Sequence, residues 1–330
     1  MEACLLKFYN IHHLLKIGVE NIELNHMLPY FLADKTSGNL DLTIKVGEID
    51  SGSTFHRMGR FYLGKNELVE KRNFGSLRLK EMLGNTELNA TTGYVRARPF
   101  VTLIESVIGL KLVAKSHALV HSSCISRDGE GYLICAWHGT GKTMVTLKLV
   151  KEKSLNFLSD DMTIINTSGQ VYCFPKDVKL SLPHAKEFGL DGKVRLRLLV
   201  GELVTHIPVI RRRLEITHNI PITKIIKDSK IEKQCNLRKV VVLQRAEKEE
   251  IVEVDSNEIT KRLTLLNEWE RIFWVDRLFI PYAFSDREFD LQKLAEKERD
   301  ILQQALRDVP CYEVRFRKYA YDQVAKLLMD

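Results

Sequence analysis

The sequence predicts an α/β (α+β) chain in two parts: a β-rich N-terminal lobe over residues 1–97 and a mixed-sheet domain over residues 98–330 that ends in a helix, a strand and a helix. Three observations predict it. The first hundred residues alternate apolar and polar side chains and are punctuated by glycines, as strands and turns require. At Pro99 the apolar spacing lengthens to that of a helix, and beyond Tyr132 apolar runs alternate with amphipathic ones, with one glycine-rich junction between them.

In the N-terminal lobe, Asp41-Leu-Thr-Ile-Lys-Val46 puts Leu42, Ile44 and Val46 on one face of a strand, because successive strand side chains point to opposite sides. Gly47, Gly52, Gly59, Gly64 and Gly75 mark turns. From Pro99, the residues Val101, Ile104, Ile108 and Leu112 recur at three- and four-residue steps and form a helical stripe that opens the second lobe. The run from Ala118 to Ile125, the turn Asp128-Gly129 and the run from Tyr132 to Trp137 read as a β-hairpin with a buried second strand. Lys142 to Lys151 is an amphipathic helix with Val145 and Leu149 on its apolar side.

A short strand from Leu155 to Leu158 then ends in Ser159-Asp160-Asp161, and Met162 to Phe174 forms a hairpin turning at Ser168-Gly169, which makes the sheet mixed. Lys239 to Leu243 and Ile251 to Val254 read as strands, and Asp255 with Glu258 caps a helix running toward Leu266. A long helix covers Ser285 to Leu306 and Pro310 stops it. A strand from Tyr312 to Phe316 and a helix from Tyr319 to Met329 close the chain.

With 45% hydrophobic and 28% charged residues, the 330-residue chain has the composition of a folded soluble protein. The most apolar stretch, Phe100 to Ala114, is interrupted by Glu105 and Lys111 and falls short of the roughly 18 apolar residues of a membrane span. The N-terminus, with Glu2 and Lys7 among apolar residues, does not read as a secretory signal, so a cytoplasmic address is expected. Six cysteines (Cys4, Cys124, Cys135, Cys173, Cys235, Cys311) contain no Cys-x-x-Cys pair and are expected to be buried free thiols. The formal charge of +7 suits an anionic partner, whether a nucleotide, a phosphorylated metabolite or RNA.

The chemistry concentrates at Ala136-Trp-His-Gly-Thr-Gly-Lys-Thr143, which matches the phosphate-binding pattern G-x-x-x-x-G-K-[ST] except that Ala136 replaces the first glycine. Gly139 and Gly141 allow the backbone to curl so that amide N–H groups point at phosphate oxygens, and the helix starting near Lys142 adds its dipole. Lys142 supplies a point charge for the β and γ phosphates, and the Thr143 hydroxyl can ligate Mg²⁺. Trp137, His138, Gly139, Thr140, Gly141, Lys142, Thr143 and Met144 are therefore the candidate nucleotide contacts.

Asp160 and Asp161 close the next strand. One carboxylate can hold Mg²⁺ and the other can take the proton of an attacking hydroxyl; a turn or capping role is the structural alternative. Asp161 is the candidate metal ligand with Thr143. His121 lies on the strand expected to pair with the loop strand and is a candidate catalytic residue or a structural histidine. The cluster Lys193, Arg195, Arg197 and the run Arg211-Arg-Arg213 can grip phosphate or an RNA backbone, or form solvated faces.

The order His121, turn, apolar strand, Gly139-Thr-Gly-Lys-Thr143, helix, strand, Asp160-Asp161 resembles the catalytic core of the HPr kinase/phosphorylase superfamily, which shares its nucleotide fold with phosphoenolpyruvate carboxykinases. The segment Val309-Pro-Cys-Tyr-Glu-Val-Arg-Phe316 and the short helix after it are similar to the end of related proteins that carry a β-rich N-terminal lobe. The resemblance implies that Lys142 and Thr143 bind nucleotide phosphate and Mg²⁺, that the Asp pair supplies base and metal ligand, and that His121 lies beside them. Met144 departs from the acidic residue that follows the loop in true HPr kinases, and no glycine-rich signature follows the Asp pair, so HPr is not implied as substrate.

The expectation is an ATP- and Mg²⁺-dependent kinase acting on a hydroxyl of a small metabolite, a protein serine or RNA, with a homo-oligomer compatible. The alternatives are a nucleotide-binding regulator without phosphoryl transfer, and a basic nucleic-acid-binding protein with a vestigial loop.

Overall fold

The computed structural model describes residues 6–24, 27–34, 38–49, 56–96, 99–205, 218–272 and 276–329. The fold is mixed α/β, and its contacts divide it into two compact units that do not correspond to a single cut of the chain. The first unit contains residues 1–121, 164–170 and 256–308, and the second contains 122–163, 171–255 and 309–330. The boundary expected between residues 97 and 98 falls outside the described residues.

In the first unit, strands β1 (Leu6–Ile11), β2 (Leu15–Glu20), β3 (Leu32–Ala33), β4 (Leu42–Val46), β5 (His56–Met58), β6 (Phe61–Gly64), β7 (Glu67–Arg72), β8 (Gly75–Lys80) and β9 (Thr86–Ala90) form one sheet in the order β3-β1-β2-β4-β9-β8-β7-β6-β5. The expected alternation holds in β4, where Leu42, Ile44 and Val46 are buried, but not in β7, where Glu67, Leu68, Val69 and Glu70 are all buried. The cross-strand row Ile44, Leu88, Leu79, Leu68, Leu63 is buried throughout, because the period of two sends every member to the same side.

The Pro99–Ala114 helix, expected to open the second lobe, packs within this first unit together with β10 (His117–His121) and the helix Leu291–Leu306. Ile104, Ile108 and Leu112 are buried as the stripe requires, whereas Val101 is exposed. Lys111 from the same helix reaches the carbonyls of Met82 and Gly84, and burial lowers its ammonium pKa to about 8. The helices Thr92–Val95, Ser256–Ile272 and Asp276–Ser285 also belong to this unit.

The apolar run from Ala118 to Ile125 is two strands, β10 and β11 (Ser123–Arg127), interrupted at Ser122. In the second unit, β11 forms the expected hairpin with β12 (Glu130–Ala136) through Asp128 and Gly129, both of which have positive φ. β13 (Asn156–Ser159) pairs with β11, while β12 runs parallel to β18 (Gln234–Arg245). β18 runs parallel to β20 (Cys311–Phe316), which pairs with β19 (Glu250–Glu253), so a buried mixed sheet results. Ile134, Val145, Phe157, Val241, Phe316 and Val324 share its apolar core.

The turn expected at Ser168-Gly169 joins β14 (Met162–Asn166) to β15 (Gln170–Tyr172), with Gly169 at a positive φ and Asn166 accepting from its N–H at 3.1 Å, and β16 (Val178–Leu180) pairs with β17 (His218–Ile220). Cys124, Cys135, Cys173, Cys235 and Cys311 are free and buried, and burial pushes the thiols of Cys135, Cys173 and Cys311 up to about 12. Cys4 lies outside the described residues.

Two helix starts differ from the sequence expectation, and the closing helix begins at Tyr321, not Tyr319. The long C-terminal helix begins at Leu291, not at Ser285, because Asp290 adopts an extended backbone and its carboxylate accepts from the N–H groups of Gln292 (3.0 Å) and Lys293 (3.1 Å). Asp290→Ala is expected to cost about 1 kcal/mol, seen as a lower urea midpoint followed by circular dichroism, with Asp290→Asn losing little because its side-chain oxygen accepts the same two bonds.

Candidate functional site

The site begins with strand β12, whose last residues are too apolar to leave the core: Leu133, Ile134 and Cys135 are fully buried and Ala136 is 1% exposed. The chain then turns tightly, with the Thr140 N–H donating to the Trp137 carbonyl at 3.1 Å. Gly139 and Gly141 have φ of +75° and +107°, a region costly for residues with a Cβ. No atom lies within 4 Å of a Cβ built on either. The requirement for glycine is therefore conformational, and the space beside the loop is open.

Gly141 starts the helix Lys142–Lys153. Among the described residues no side chain caps this N-terminus and none in its first turn is acidic. Its first amide donors and its dipole thus favour an anion from outside. The Lys142 Nζ atom is buried and has no hydrogen-bond partner among the described residues. Its charge favours ionisation of Asp160.

Asp160 is 8% exposed, and its carboxylate is held from two sides. The Thr143 hydroxyl donates to Oδ2 at 2.9 Å, and the Ser123 hydroxyl lies 3.1 Å from Oδ1 and 2.7 Å from the Asp160 carbonyl oxygen. Burial raises the carboxyl pKa above its ordinary 3.8; the Lys142 charge and the two hydroxyls oppose that shift, and the Asp161 charge adds to it. Asp161 points elsewhere: Lys176 Nζ binds its Oδ2 at 2.7 Å, and its carbonyl accepts from the Ser122 N–H at 3.1 Å. Its side chain is 49% exposed, against 14% for Lys176.

Lys142, Thr143 and Asp160 thus come together in the second unit, with Asp161 adjacent. Trp137 and His138 are exposed, Thr140 is half-buried, and Met144 packs half-buried against the core. His121 belongs to the first unit, where its N–H donates to Asn267 Oδ1 at 2.9 Å and its Nδ1 lies 3.9 Å from Glu270. Lys193, Arg195 and Arg197 are exposed on the helix Gly192–Thr205, and Arg211–Arg213 lie outside the described residues. Sequence reasoning missed Ser123 and Lys176. The polar pair Ser122-Ser123 inside an apolar run was a readable signal, whereas nothing marked Lys176.

Two hydroxyl- and carboxylate-bearing side chains, Thr143 and Asp160, offer the hard oxygen ligands magnesium takes. Among the described residues no three His, Cys, Asp or Glu side chains gather to hold a metal ion by themselves. A magnesium ion at this place would complete its shell with phosphate oxygens and water. Among the described residues no helix is long and apolar enough to cross a membrane.

No family model and no curated protein matches the chain. Among solved structures it is similar to the Hpr(Ser) kinase/phosphatase from Coxiella burnetii, with a TM-score of 0.27 and 11% identity over 64% of this chain and 97% of that one. A likeness of that size adds no weight to the site, which stands on the chain's own residues.

The Asp160 pKa shift has a measurable sign. Because the folded carboxyl is raised, its contribution to stability is complete below the ordinary value of 3.8 and is lost as pH rises through the raised value, so the ionised group at neutral pH is a net cost. In the nucleotide-free protein, Asp160→Asn is expected to melt above wild type at pH 7.5, with a gap that narrows toward pH 4. A pH-independent gap in scanning calorimetry would show that burial does not control this carboxyl.

Proposed function

We propose that the chain is a nucleotide-dependent phosphotransferase that moves the γ-phosphoryl of ATP to an acceptor hydroxyl. The observation that carries this reading is the buried Lys142 ammonium, without a hydrogen-bond partner among the described residues, at the uncapped start of a helix entered through two left-handed glycines. A buried cation in that state is costly for the folded chain, and a polyphosphate is the ligand whose charge and oxygen count remove the cost.

In this reading the amides of Gly139 to Thr143 and the Lys142 ammonium bind the β and γ phosphates and orient them. The contact between Thr143 and Asp160 favours these two as the magnesium-side ligands, which moves that role from Asp161 to Asp160. Magnesium held there would supply positive charge to offset the phosphate charge. The more exposed Asp161, oriented by Lys176, takes the proton of the acceptor hydroxyl as that oxygen bonds to the γ phosphorus and the bond to the bridging oxygen breaks, leaving ADP. Ser123 holds the Asp160 carboxylate in place.

Lys142→Ala is expected to weaken ATP binding about 30-fold or more, the scale for deleting one partner of a desolvated charged contact. Asp161→Asn should leave binding nearly intact and abolish transfer. Titration calorimetry with ATP and magnesium reads the first. Incubation with γ-labelled ATP and separate metabolite, protein and RNA pools reads the second and names the acceptor class. Absence of any nucleotide uptake by the wild type overturns the reading; uptake without labelling of any pool replaces it with nucleotide sensing.

A further inference from the structure

The chain's positive charge is concentrated away from the loop. Residues 56–80, the β5 to β8 ribbon, hold seven Lys and Arg against two Glu, a formal +5 in a chain whose total is +7. Both acids are withdrawn from the surface. Glu67 is 5% exposed and paired with Arg78; Glu70 is 0% exposed and accepts from Arg60 and Arg72 at 2.7 Å each and from the Tyr94 hydroxyl at 2.7 Å. Burying both carboxylates leaves the ribbon's outer surface cationic. Arg57, Lys65, Lys71 and Lys80 have no carboxylate partner among the described residues.

Aromatic rings are interleaved with these cations. Lys71 Nζ lies 4.6 Å and Arg57 Cζ 6.0 Å from the centre of the Tyr62 ring, Arg60 lies 4.8 Å from that of Phe61, and Arg72 lies 5.6 Å from that of Phe74, which is 44% exposed. The strand register accounts for the Tyr62 cluster, whereas Phe61, two residues before Leu63, falls on the leucine side. The row Lys45, Asn89, Arg78, Val69, Tyr62, Arg57 runs across five strand pairings on the face opposite the buried leucine row, so basic side chains and a ring recur at strand spacing. At the ribbon's edge an open groove of about 470 Å³ is lined by Met58, Gly59, Arg60, Phe61, Ile280 and Pro281, an apolar slot with one guanidinium.

We infer that this ribbon is a binding surface for single-stranded nucleic acid. Phosphates match the cations, and bases match the ring faces and the apolar slot, a combination a duplex cannot use because its base faces are already stacked. An anionic membrane would match the charge but gives no role to rings held within the sheet beside cations. The inference stands apart from the loop and its chemistry.

The test uses the full chain with labelled single strands of RNA and of DNA of about 20 nucleotides, a duplex of the same sequence, and phosphatidylserine vesicles, followed by fluorescence anisotropy and sedimentation. Single strands are expected to bind more tightly than duplex or vesicles, with log affinity falling against log salt at a slope of about −3 for four engaged cations. The better of the RNA and DNA arms identifies the strand. Arg57→Gln combined with Lys71→Gln should reduce that slope by about 1.4; Phe74→Ala should weaken binding about tenfold and leave the slope unchanged. Lys65→Gln with Lys80→Gln, at more peripheral positions, provides the same charge test should the first pair disturb folding, which thermal melts would reveal. Lys142→Ala should bind strands as wild type does. Unchanged strand binding in both charge variants, tighter binding to duplex or vesicles, no strand binding at low salt, or loss of strand binding in Lys142→Ala would each overturn the inference.

Discussion

The loop edge of the second unit depends on one electrostatic constraint: a lysine ammonium and an aspartate carboxylate are both taken out of water, and neither is fully satisfied by the other. Lys142 lowers the charging cost of Asp160, and Thr143 and Ser123 lower it further, yet burial still dominates the carboxyl. In a medium less polarisable than water, such groups act strongly on whatever enters between them. The same arrangement costs stability while the space beside the loop holds only solvent. A site destabilised in its ligand-free form is the usual consequence of preorganising charge for a partner.

The rest of the second unit serves to hold that edge. β12 lies between the antiparallel β11 and the parallel β18, so its direction is fixed by hydrogen bonds on both sides. Its last residues are anchored by an apolar core, and the helix after the loop packs Val145 and Leu149 into the same core. The loop has no freedom to drift from the sheet end. Asp160 is fixed by the strand paired to the far side of the hairpin, since Ser123 on β11 binds it while β13 pairs with β11. Two consecutive residues with identical side chains are thereby given different surroundings, Asp160 among hydroxyls and Asp161 beside an ammonium.

How much of this was legible follows from the range of the interactions. Local signals are legible: the glycine loop, the Asp128-Gly129 hairpin and the face shared by Leu42, Ile44 and Val46 are set by neighbours within a few residues. The helix start at Leu291 depends on a local hydrogen bond, from the Asp290 carboxylate to its own helix, that outweighs the apolar pattern, whereas the break at Ser122 depends on its N–H donating to the carbonyl of Asp161, far along the chain. Lys176 and Ser123 were missed for another reason. Their partners lie 15 and 37 residues away, and no spacing rule reaches that far. The interleaving of chain between the two units is equally non-local, since Pro99–Ala114 and Leu291–Leu306 meet only in three dimensions.

Net charge misleads when it is read as a property of the whole chain. A formal +7 suggested a basic protein whose anionic partner could sit at any cationic cluster, yet the loop of the proposed function offers only backbone amides and a single lysine. Most of the excess instead resides in 25 consecutive residues whose only acids are hidden inside the sheet. Glu67 and Glu70 are buried against Arg60, Arg72 and Arg78, so the ribbon's remaining cations, Arg57, Lys65, Lys71 and Lys80, face no carboxylate among the described residues. Field strength at a surface depends on which charges remain in contact with solvent and on what lies between them, and here rings lie between them. A chain can therefore be organised to meet two anions by two different physical means, directed amides at a glycine turn and diffuse charge with stacking rings on a strand ribbon.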